Sequence, residues 1–501
     1  MIGRMDLDPD VCYRAIQTRD ARFDGRLFVA VRTTGIYCRP VCPARTPKRE
    51  NVTFHATAAS AQEAGYRACL RCRPETSPQL GAWNGASNTV SRALALIEAG
   101  ALDGGDVETL AERVGVGGRQ LRRLFLQHLG ATPVGVAQTR RVLLAKQLIH
   151  ETDLPMAEVA LAAGFGSVRR FNETFQQLYD RPPAALRRRK AATASAGEAI
   201  SLTLRYRPPY DWDGMLAFLA MRAIPGVEAV TDNTYRRTIA LDGAAGTLAV
   251  TPIGGDRLSV AVRFPKPSAL PRILARVRGV FDLSADPVGI GEVLSRDPRL
   301  ARMVAARPGL RVPGAWDGFE LAVRAILGQQ ITVVQARKLA GDIVAAHGEP
   351  LASPWSEPGL THAFPTPERL AVADLSGLKM PGARIRCLSS MAQALADDPN
   401  LLAPNAGLPE MVARLRALPG IGEWTAQYIA MRQLREPDAF PAADVALMRA
   451  LADADGVRPT ADQLLAQAEA WRPWRAYAAL HLWASLADEG APPIRKVKRA
   501  A

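Results

Sequence analysis

The stretch 418–426, Leu-Pro-Gly-Ile-Gly-Glu-Trp-Thr-Ala, constrains the fold of the C-terminal half of the chain most strongly. Its proline and glycines predict a tight turn between two helices, the second beginning near Glu423. The N–H groups at the start of that helix, beside Gly420 and Gly422, lie at the positive end of its dipole and suit a phosphate. Asp444 follows in a Pro-containing segment that opens the next helix. A phosphate-binding turn with one carboxylate about twenty residues further on predicts DNA held beside a base or a nucleophile.

The length and charge of the chain indicate several domains and a polyanionic partner. Its 501 residues exceed what one core can hold, which predicts about three or four domains. The formal net charge is +14, and residues 1–200 hold 28 basic against 19 acidic residues. Such an excess favours a polyanionic partner, while ordinary solubility charge is the alternative. Together with the phosphate-binding turn, it leads us to expect double-stranded DNA.

The N-terminal residues contain no apolar core of the signal-peptide type, and no run of about 18 apolar residues occurs. We therefore expect a cytoplasmic protein that associates with the nucleoid and has no membrane partner. Four of the six cysteines lie between Cys38 and Cys72. In a cytoplasmic chain this spacing favours metal or redox chemistry over structural disulfides.

These four cysteines predict a metal site in the first 76 residues. Residues 26–32 alternate and predict a strand that leads to Cys-x3-Cys, and Cys-x2-Cys follows twenty-six residues later. Two close cysteine pairs on two turns can converge on one tetrahedral Zn²⁺. The spacing alone favours a purely structural zinc site, so a chemical role stays open at this point. The predicted ligands are Cys38, Cys42, Cys69 and Cys72.

Two helix-turn-helix patterns follow, at residues 110–125 and 156–175, with one linking helix between them. Two such units can place recognition helices in successive faces of the major groove. We expect recognition near Gly118–Arg123 and Ser167–Asn172. The apolar positions are predicted to be core: Leu121, Leu124, Phe171 and Phe175. The candidate DNA contacts are Arg119, Arg122, Arg169 and Arg170.

The remainder of the chain predicts a small α+β domain and then a helical domain. A helix is predicted over 210–223, and strands are predicted over 235–240, 246–252 and 257–264, after an alternating segment at 202–206. Residues 283–495 are mostly helical in pattern. The stretches 77–86 and 191–197 have the composition of linkers, and a basic run at 187–190 precedes the second. The predicted fold class is multidomain and mainly α, and the predicted boundaries are 1–76, 87–190, 198–282 and 283–495.

The sequence around the cysteines, Val31-Arg-Thr-Thr-Gly-Ile-Tyr-Cys-Arg-Pro-Val-Cys and Ala64-Gly-Tyr-Arg-Ala-Cys-Leu-Arg-Cys-Arg-Pro, resembles the N-terminal domain of the Ada DNA-alkylation response protein. The resemblance implies that all four cysteines bind zinc and that Cys38 accepts a methyl group from a DNA methyl phosphotriester. It makes four nearby arginines candidates for phosphate contact: Arg39, Arg45, Arg67 and Arg71. The Pro-Cys-His-Arg motif of Ada's second methyltransferase domain is absent from the sequence.

Two further resemblances cover the remaining domains. Gly164-Phe-Gly-Ser, with Phe171, Phe175 and Asp180-Arg-Pro-Pro, resembles the AraC/XylS DNA-binding domain, which implies promoter binding and RNA polymerase as a partner. Arg207-Pro-Pro-Tyr-Asp-Trp, the segment 316–332 and the segment 471–483 resemble AlkA-type 3-methyladenine DNA glycosylases of the helix-hairpin-helix superfamily. The hairpin at 418–426 then implies the glycosylase centre.

The glycosylase resemblance implies roles for particular residues. The aromatic pocket would comprise Trp424, Tyr428, Trp483 and Phe218, although aromatics at helical spacing also suit a plain core. Asp444 would stabilise the oxocarbenium-like sugar or activate water, and an N-cap role is the alternative, compatible with the first. Trp424 occupies the position of the Schiff-base lysine in bifunctional relatives, which predicts a monofunctional enzyme.

Two details of the hairpin region complete the expectations. The resemblance implies a monovalent cation on the carbonyl groups of the hairpin. Gln330 departs from the family, because AlkA has an apolar residue that enters the duplex at this position.

The sequence as a whole predicts a fused DNA-alkylation sensor, transcription activator and alkylpurine glycosylase with Zn²⁺. The alternative is a non-enzymatic, zinc-containing regulator with a degenerate glycosylase domain.

Overall fold

The computed structural model describes residues 8–78, 88–187, 199–352, 355–453 and 455–490. Most of the predicted linker 77–86, and the basic run and tether beyond residue 187, lie outside these ranges. Within them, no helix is both long and apolar enough to cross a lipid bilayer. The element order confirms the predicted fold class, a mainly α multidomain chain with two small α+β domains.

The N-terminal domain has a four-stranded sheet in the order β3–β1–β2–β4, in which β1 is antiparallel to both neighbours and β4 is parallel to β2. The predicted strand at 26–32 is present in shorter form. Its elements are α1 (Pro9–Gln17), β1 (Phe28–Val31), β2 (Ile36–Cys38), β3 (Val52–His55), α2 (Ala58–Glu63) and β4 (Arg67–Ala68). Because the carboxyl ends of adjacent parallel strands meet at one edge, this pairing brings the two cysteine turns together.

The second domain is helical, and its two helix-turn-helix units are α4–α5 and α7–α8, joined by the long helix α6. The bounds are α3 (Asn88–Glu98), α4 (Val107–Arg113), α5 (Gly118–Leu129), α6 (Pro133–Glu151), α7 (Met156–Ala162) and α8 (Val168–Tyr179). Leu121, Phe171 and Phe175 are fully buried, and Leu124 packs partly buried against the same core as Leu121. The prediction that these apolar positions are core, not DNA contacts, is confirmed.

The third domain is a five-stranded antiparallel sheet in the order β5–β9–β8–β7–β6, covered by helices. Its elements are β5 (Ile200–Arg205), α9 (Trp212–Arg222), β6 (Glu228–Thr231), β7 (Thr234–Leu241), β8 (Ala244–Pro252), β9 (Arg257–Arg263) and α10 (Leu270–Val280). The predicted strands lie within one or two residues of the observed ones. The prediction missed β6, which pairs with β7 through a two-residue turn at Asp232 and Asn233, both with positive φ. Asp and Asn tolerate that conformation, so this dipeptide was the available signal.

The C-terminal domain is a helical bundle around a large apolar core that includes Trp471 and Tyr477. The helices are α11 (Pro287–Leu294), α12 (Pro298–Ala306), α13 (Gly318–Leu327), α14 (Val333–His347), α15 (Pro367–Ala371), α16 (Gly382–Asp397), α17 (Leu408–Arg416), α18 (Glu423–Arg432), α19 (Val445–Ala450), α20 (Ala461–Ala468) and α21 (Arg475–Gly490), with a short pair β10 (Glu349–Pro350) and β11 (His362–Ala363). The hairpin joins α17 to α18, and a cavity lies between this bundle and α9 of the sheet domain.

Candidate functional site

The hairpin between α17 and α18 adopts the tight turn that its sequence predicts. The N–H group of Ile421 donates to the Leu418 carbonyl at 3.2 Å. Gly420 has a φ of +83°, and a Cβ atom there would lie 2.8 Å from the Sγ atom of Cys387, so both conformation and space require glycine. Gly422 has a φ of −84° and open space around it. As the N-cap residue of α18 it offers no side chain to cap the helix, so the first N–H groups of α18 are left for a ligand or water.

Asp444 is held by three N–H donors from three different elements. It is the N-cap of α19, where its Oδ1 accepts from the Leu447 N–H at 2.9 Å. The indole Nε1 of Trp424 donates to Oδ2 at 2.7 Å, and that of Trp483 donates to Oδ1 at 3.1 Å. The N-cap role is therefore real, and the same carboxylate also lines the cavity. A carboxylate fixed in this way is positioned to act on a ligand without first reorganising.

Trp424 and Tyr428 form one aromatic surface of the cavity. Their ring centroids lie 5.1 Å apart with an interplanar angle of 10°. The Tyr428 hydroxyl accepts from Nη1 of Arg432 at 2.6 Å. Burial alone would raise the pKa of Tyr428, but the charges of Arg432 and Arg222 outweigh it, and the pKa is lowered. The stacked pair thus has Asp444 at its Trp424 end and arginine at its Tyr428 end.

Phe218 lines the same cavity, but two guanidinium groups lie against its ring. The guanidinium carbon of Arg222 lies 3.7 Å from the ring centroid of Phe218, and that of Arg432 lies 4.9 Å from it. The expected stacking of Phe218 on a base therefore competes with two cations. Sequence reasoning missed both arginines. The signal was helical spacing, since each follows a pocket aromatic by four residues, Phe218 to Arg222 and Tyr428 to Arg432.

The cavity has a volume of about 830 Å³, within the usual range of small-molecule sites. A buried ionic network lies at the junction of its two walls. Arg237 of β7 pairs with Glu320 of α13 at 2.7 Å, and Arg324 pairs with Glu320 at 2.7 Å and with Glu228 of β6. Burial would raise the pKa of Glu320, but Arg237 and Arg324 lower it to about 2. These four charges neutralise one another and join the sheet domain to the helical bundle.

The four cysteines of the N-terminal domain converge at the edge where β2 and β4 end. Their Sγ atoms all lie within 4.8 Å of one another, which is compatible with one tetrahedral Zn²⁺ at Zn–S distances of about 2.3 Å. Cys69 and Cys72 are buried, while Cys38 and Cys42 are half-buried. Hydrogen bonds among the four thiols lower the pKa of Cys42 to about 7 and lower that of Cys69, while they raise the pKa of Cys38 and Cys72. Four thiols this close together share protons. When the protons leave, the four thiolate sulfurs form a donor set that suits Zn²⁺.

The arginines predicted around this centre differ in accessibility. Arg45 and Arg71 are exposed, and Arg67 is half-buried with its guanidinium 5.8 Å from the Tyr179 ring of α8. Arg39 is buried, and its guanidinium pairs with Asp24 and donates to the Cys72 carbonyl at 3.2 Å. The structure therefore corrects the prediction for Arg39, because this guanidinium is already occupied inside the domain and does not reach a phosphate.

The arginines predicted on the recognition helices are exposed: Arg119, Arg122, Arg169 and Arg170. Arg122 pairs with Glu108 at 3.0 Å, and Arg169 pairs with Glu173 at 2.7 Å. Pairs of this kind on the surface are weak and can open for a stronger anion.

The segment between α13 and α14 contacts the hairpin. Gln330 is exposed with a φ of +58°. Its neighbour Gln329 donates to the Gly420 carbonyl at 3.1 Å. Gln329 therefore fixes Gln330 beside the hairpin.

Comparison with known proteins gives matches along almost the whole chain. Four family models match: the metal binding domain of Ada (11–75), a helix-turn-helix domain (110–189), the AlkA N-terminal domain (201–317) and the HhH-GPD superfamily of base excision DNA repair proteins (323–476). The chain is 44% identical over 484 residues to the probable bifunctional transcriptional activator/DNA repair enzyme AlkA of Mycobacterium tuberculosis, covering 96% of this chain and 97% of that protein.

Two further relatives match the C-terminal half. The chain is 37% identical over 285 residues to DNA-3-methyladenine glycosylase 2 of Escherichia coli, covering 56% of this chain and 96% of that one. The solved structure of the 3-methyladenine DNA-glycosylase from Archaeoglobus fulgidus superposes with a TM-score of 0.52 at 21% identity, over 58% of this chain and 99% of that one, which shows a shared fold. The chain belongs to the family of bifunctional transcriptional activator/DNA repair enzymes that join an Ada-type metal-binding domain and a helix-turn-helix domain to an AlkA-type glycosylase domain.

Proposed function

We propose that this protein repairs alkylated DNA by two separate chemistries and activates transcription in response to the damage. The C-terminal half would be a monofunctional glycosylase that releases alkylated purines of the 3-methyladenine class. The observation that carries this assignment is Asp444, held by the indole N–H groups of Trp424 and Trp483 at the wall of an 830 Å³ cavity beside the hairpin.

Base release would proceed with the damaged nucleotide flipped into the cavity and stacked on the Trp424–Tyr428 pair. Asp444 would stabilise the positive charge that develops on the sugar, or activate the attacking water. The free N–H groups near Gly420 and Gly422 would bind a backbone phosphate. Trp424 carries no amine, so no Schiff base forms there and hydrolysis is the expected reaction.

Asp444→Asn tests the glycosylase mechanism. The amide keeps the shape of the side chain and removes its charge, so we expect base release from methylated duplex to fall at least about 100-fold, as when one preorganised catalytic group is lost. Duplex affinity should stay nearly unchanged. Asp374→Asn, at an exposed loop position, is the matched control. Base release at the wild-type rate in Asp444→Asn would refute the assignment.

The N-terminal half would accept a methyl group from a DNA methyl phosphotriester on Cys38. Bound Zn²⁺ would keep the cysteine sulfur as a thiolate, the nucleophilic form. The Cys38 Sγ atom would bond to the methyl carbon while the O–CH₃ bond breaks, and the electron pair stays on the phosphate oxygen. The product thioether is neutral, so the cluster loses one negative charge and repels DNA less. Repair would then act as a signal.

Cys38→Ala tests this second activity with DNA that carries labelled methyl phosphotriesters. We expect the variant to take up no label and to keep its base-release activity, because the two centres are separate. Cys12→Ala, which removes a buried thiol outside the cluster, should take up label at the wild-type rate. Labelling of Cys38→Ala at the wild-type rate would show that another group is the acceptor.

The helix-turn-helix pair would bind promoter DNA and bring in RNA polymerase, in the cytoplasm at the nucleoid. The proposed phosphate and groove contacts are Arg45, Arg67, Arg71, Arg119, Arg122, Arg169 and Arg170. Gel shift on a promoter before and after methylation of the protein would test the signal, since binding should tighten on methylation. The boundaries 1–76, 87–190, 198–282 and 283–495 and a monovalent cation on the hairpin carbonyls also remain proposals.

The alternative function is a regulator whose glycosylase domain has lost activity. Zinc content does not separate the two, because both bind the metal. Release of free base from methylated DNA does, and it is the first experiment to perform. The hydrogen-bonded Asp444 in an open cavity favours the active enzyme.

A further inference from the structure

Arg222 and Arg432 give the base cavity a positive charge that the ionic network does not neutralise. Among the residues that the structure describes, Glu228 and Glu320 are the partners of Arg237 and Arg324. Within the same ranges, no carboxylate lies at ion-pair distance from Arg222 or Arg432. An alkylated purine such as 3-methyladenine is itself cationic in DNA, so these two arginines do not help to bind it by charge.

Arg222 and Arg432 differ in how many of their guanidinium N–H groups already donate to the protein. All three nitrogens of Arg432 donate to the protein: Nε to the Pro313 carbonyl at 2.8 Å, Nη2 to the Gly314 carbonyl at 3.1 Å and Nη1 to the Tyr428 hydroxyl. This guanidinium is part of the wall and orients the Tyr428 phenol. It has little left to offer a ligand.

Arg222 is held mainly by packing. Its guanidinium lies on the Phe218 ring at 3.7 Å, and Nη1 donates to the Phe218 carbonyl at 3.3 Å. Nη1 also donates to the Met221 Sδ atom at 3.9 Å, and the guanidinium has the Tyr428 hydroxyl as a further hydrogen-bond partner. Burial lowers the pKa of Arg222, so the cation is partly desolvated and gains more from an acceptor than it would in water. Phe218 therefore serves as a platform for Arg222, with N–H groups of the guanidinium able to reach a base.

The chemistry of the leaving base explains why a cation belongs here. When the C1′–N bond breaks, its electron pair goes to the base, and a water oxygen bonds to C1′ and releases its proton to Asp444 or solvent. A cationic alkylated purine leaves as a neutral molecule. A neutral base leaves as an anion, which then takes a proton from solvent. Only the second case develops negative charge in the cavity and gains from a guanidinium.

We propose that Arg222 is a specificity-determining residue of the glycosylase: it donates to the departing base and stabilises the negative charge that develops when a neutral damaged base leaves. It contributes far less to release of a cationic base. The cavity is thus divided by the Trp424–Tyr428 stack into an anionic part at Asp444, for the sugar, and a cationic part at Arg222, for the base. This inference rests on the proposed glycosylase function.

The test measures single-turnover base release by the full-length protein from two duplexes, one with a single 7-methylguanine, which is cationic, and one with a single hypoxanthine, which is neutral and has a carbonyl acceptor. Arg222→Gln should slow hypoxanthine release about 100-fold and slow 7-methylguanine release only a few-fold. Arg222→Lys should recover part of the hypoxanthine rate, because the charge returns without the planar fork. Phe218→Leu removes the platform and should shift the ratio of the two rates in the same direction.

The charge-matched control is Arg302→Gln, an exposed position on α12 that does not line the cavity. It should leave the ratio of the two rates unchanged. Equal losses on both duplexes in Arg222→Gln and Phe218→Leu would overturn the proposal, and so would a wild-type protein that releases 7-methylguanine but no hypoxanthine. If the wild type releases neither base, the proposed glycosylase function itself fails.

Discussion

Replacing Glu320 by Gln should destabilise the junction between the two walls of the cavity. Glu320 is 4% exposed and accepts from Arg237 and Arg324, each at 2.7 Å. The change leaves two buried guanidinium groups to share the single carboxylate of Glu228. Removing one partner from a buried ionic network costs about 3–5 kcal/mol, and the lower end applies because the amide oxygen still accepts one hydrogen bond.

The lowered pKa of Glu320 gives an independent estimate of the free energy that its carboxylate contributes to stability. The carboxyl has a reference pKa of 4.5 and a folded pKa of about 2, which corresponds to about 3 kcal/mol of stability at neutral pH. Because the folded pKa is the lower one, this contribution is present above pH 4.5 and is lost as the pH falls towards 2. A minor part of it should be lost by pH 4 and more than half by pH 3.

The assay is urea unfolding of the full-length protein from pH 7 to pH 3, with hydrogen exchange followed in α13 and β7. We expect Glu320→Gln to lower the unfolding free energy by about 3 kcal/mol at pH 7 and the difference from wild type to shrink in acid. Glu368→Gln, an exposed glutamate on α15, should change stability by less than about 0.5 kcal/mol. An unchanged midpoint at pH 7, or a difference independent of pH, would refute the reasoning.

Three other predictions concern single positions. Gly420→Ala should destabilise the hairpin by about 1–3 kcal/mol and weaken duplex binding in a fluorescence-anisotropy titration, because φ is +83° and the new Cβ meets Cys387; wild-type affinity would contradict this. Phe171→Ala should cost about 3–5 kcal/mol in the helix-turn-helix core, since the ring is fully buried, and should abolish promoter gel shift while base release continues; a normal gel shift would count against it. Burial lowers the pKa of His481 from 6.5 to about 4, so the folded state, which keeps this imidazole neutral, loses stability as the pH falls from 6.5 towards 4. His481→Asn should make the unfolding free energy less dependent on pH in this range, and an unchanged slope would exclude His481 as the cause.

Local sequence rules predicted most elements because the relevant signals are short in range. Glycine at a positive φ, an aspartate at an N-cap and alternating apolar residues each act within a few residues, and they located the hairpin, α19 and three strands of the second sheet. The missed strand β6 has only four residues, and its pairing depends on a two-residue turn whose sequence, Asp232-Asn233, is less distinctive than one with glycine.

The sequence by itself determined which chemical groups this protein has: four thiols at metal-ligand spacing, one carboxylate after a hairpin, and a tryptophan within that hairpin segment. Only the tertiary structure decided which of the charged residues remain available, because burial depends on contacts between distant segments. Arg39 and Lys146 are both cationic in sequence, yet both are buried. Arg39 forms an ion pair with Asp24, and Nζ of Lys146 lies 2.9 Å from Oε2 of Glu75. Arg222 looked like an ordinary end of a helix and is instead part of the cavity wall, because Tyr428, some two hundred residues later, packs beside it.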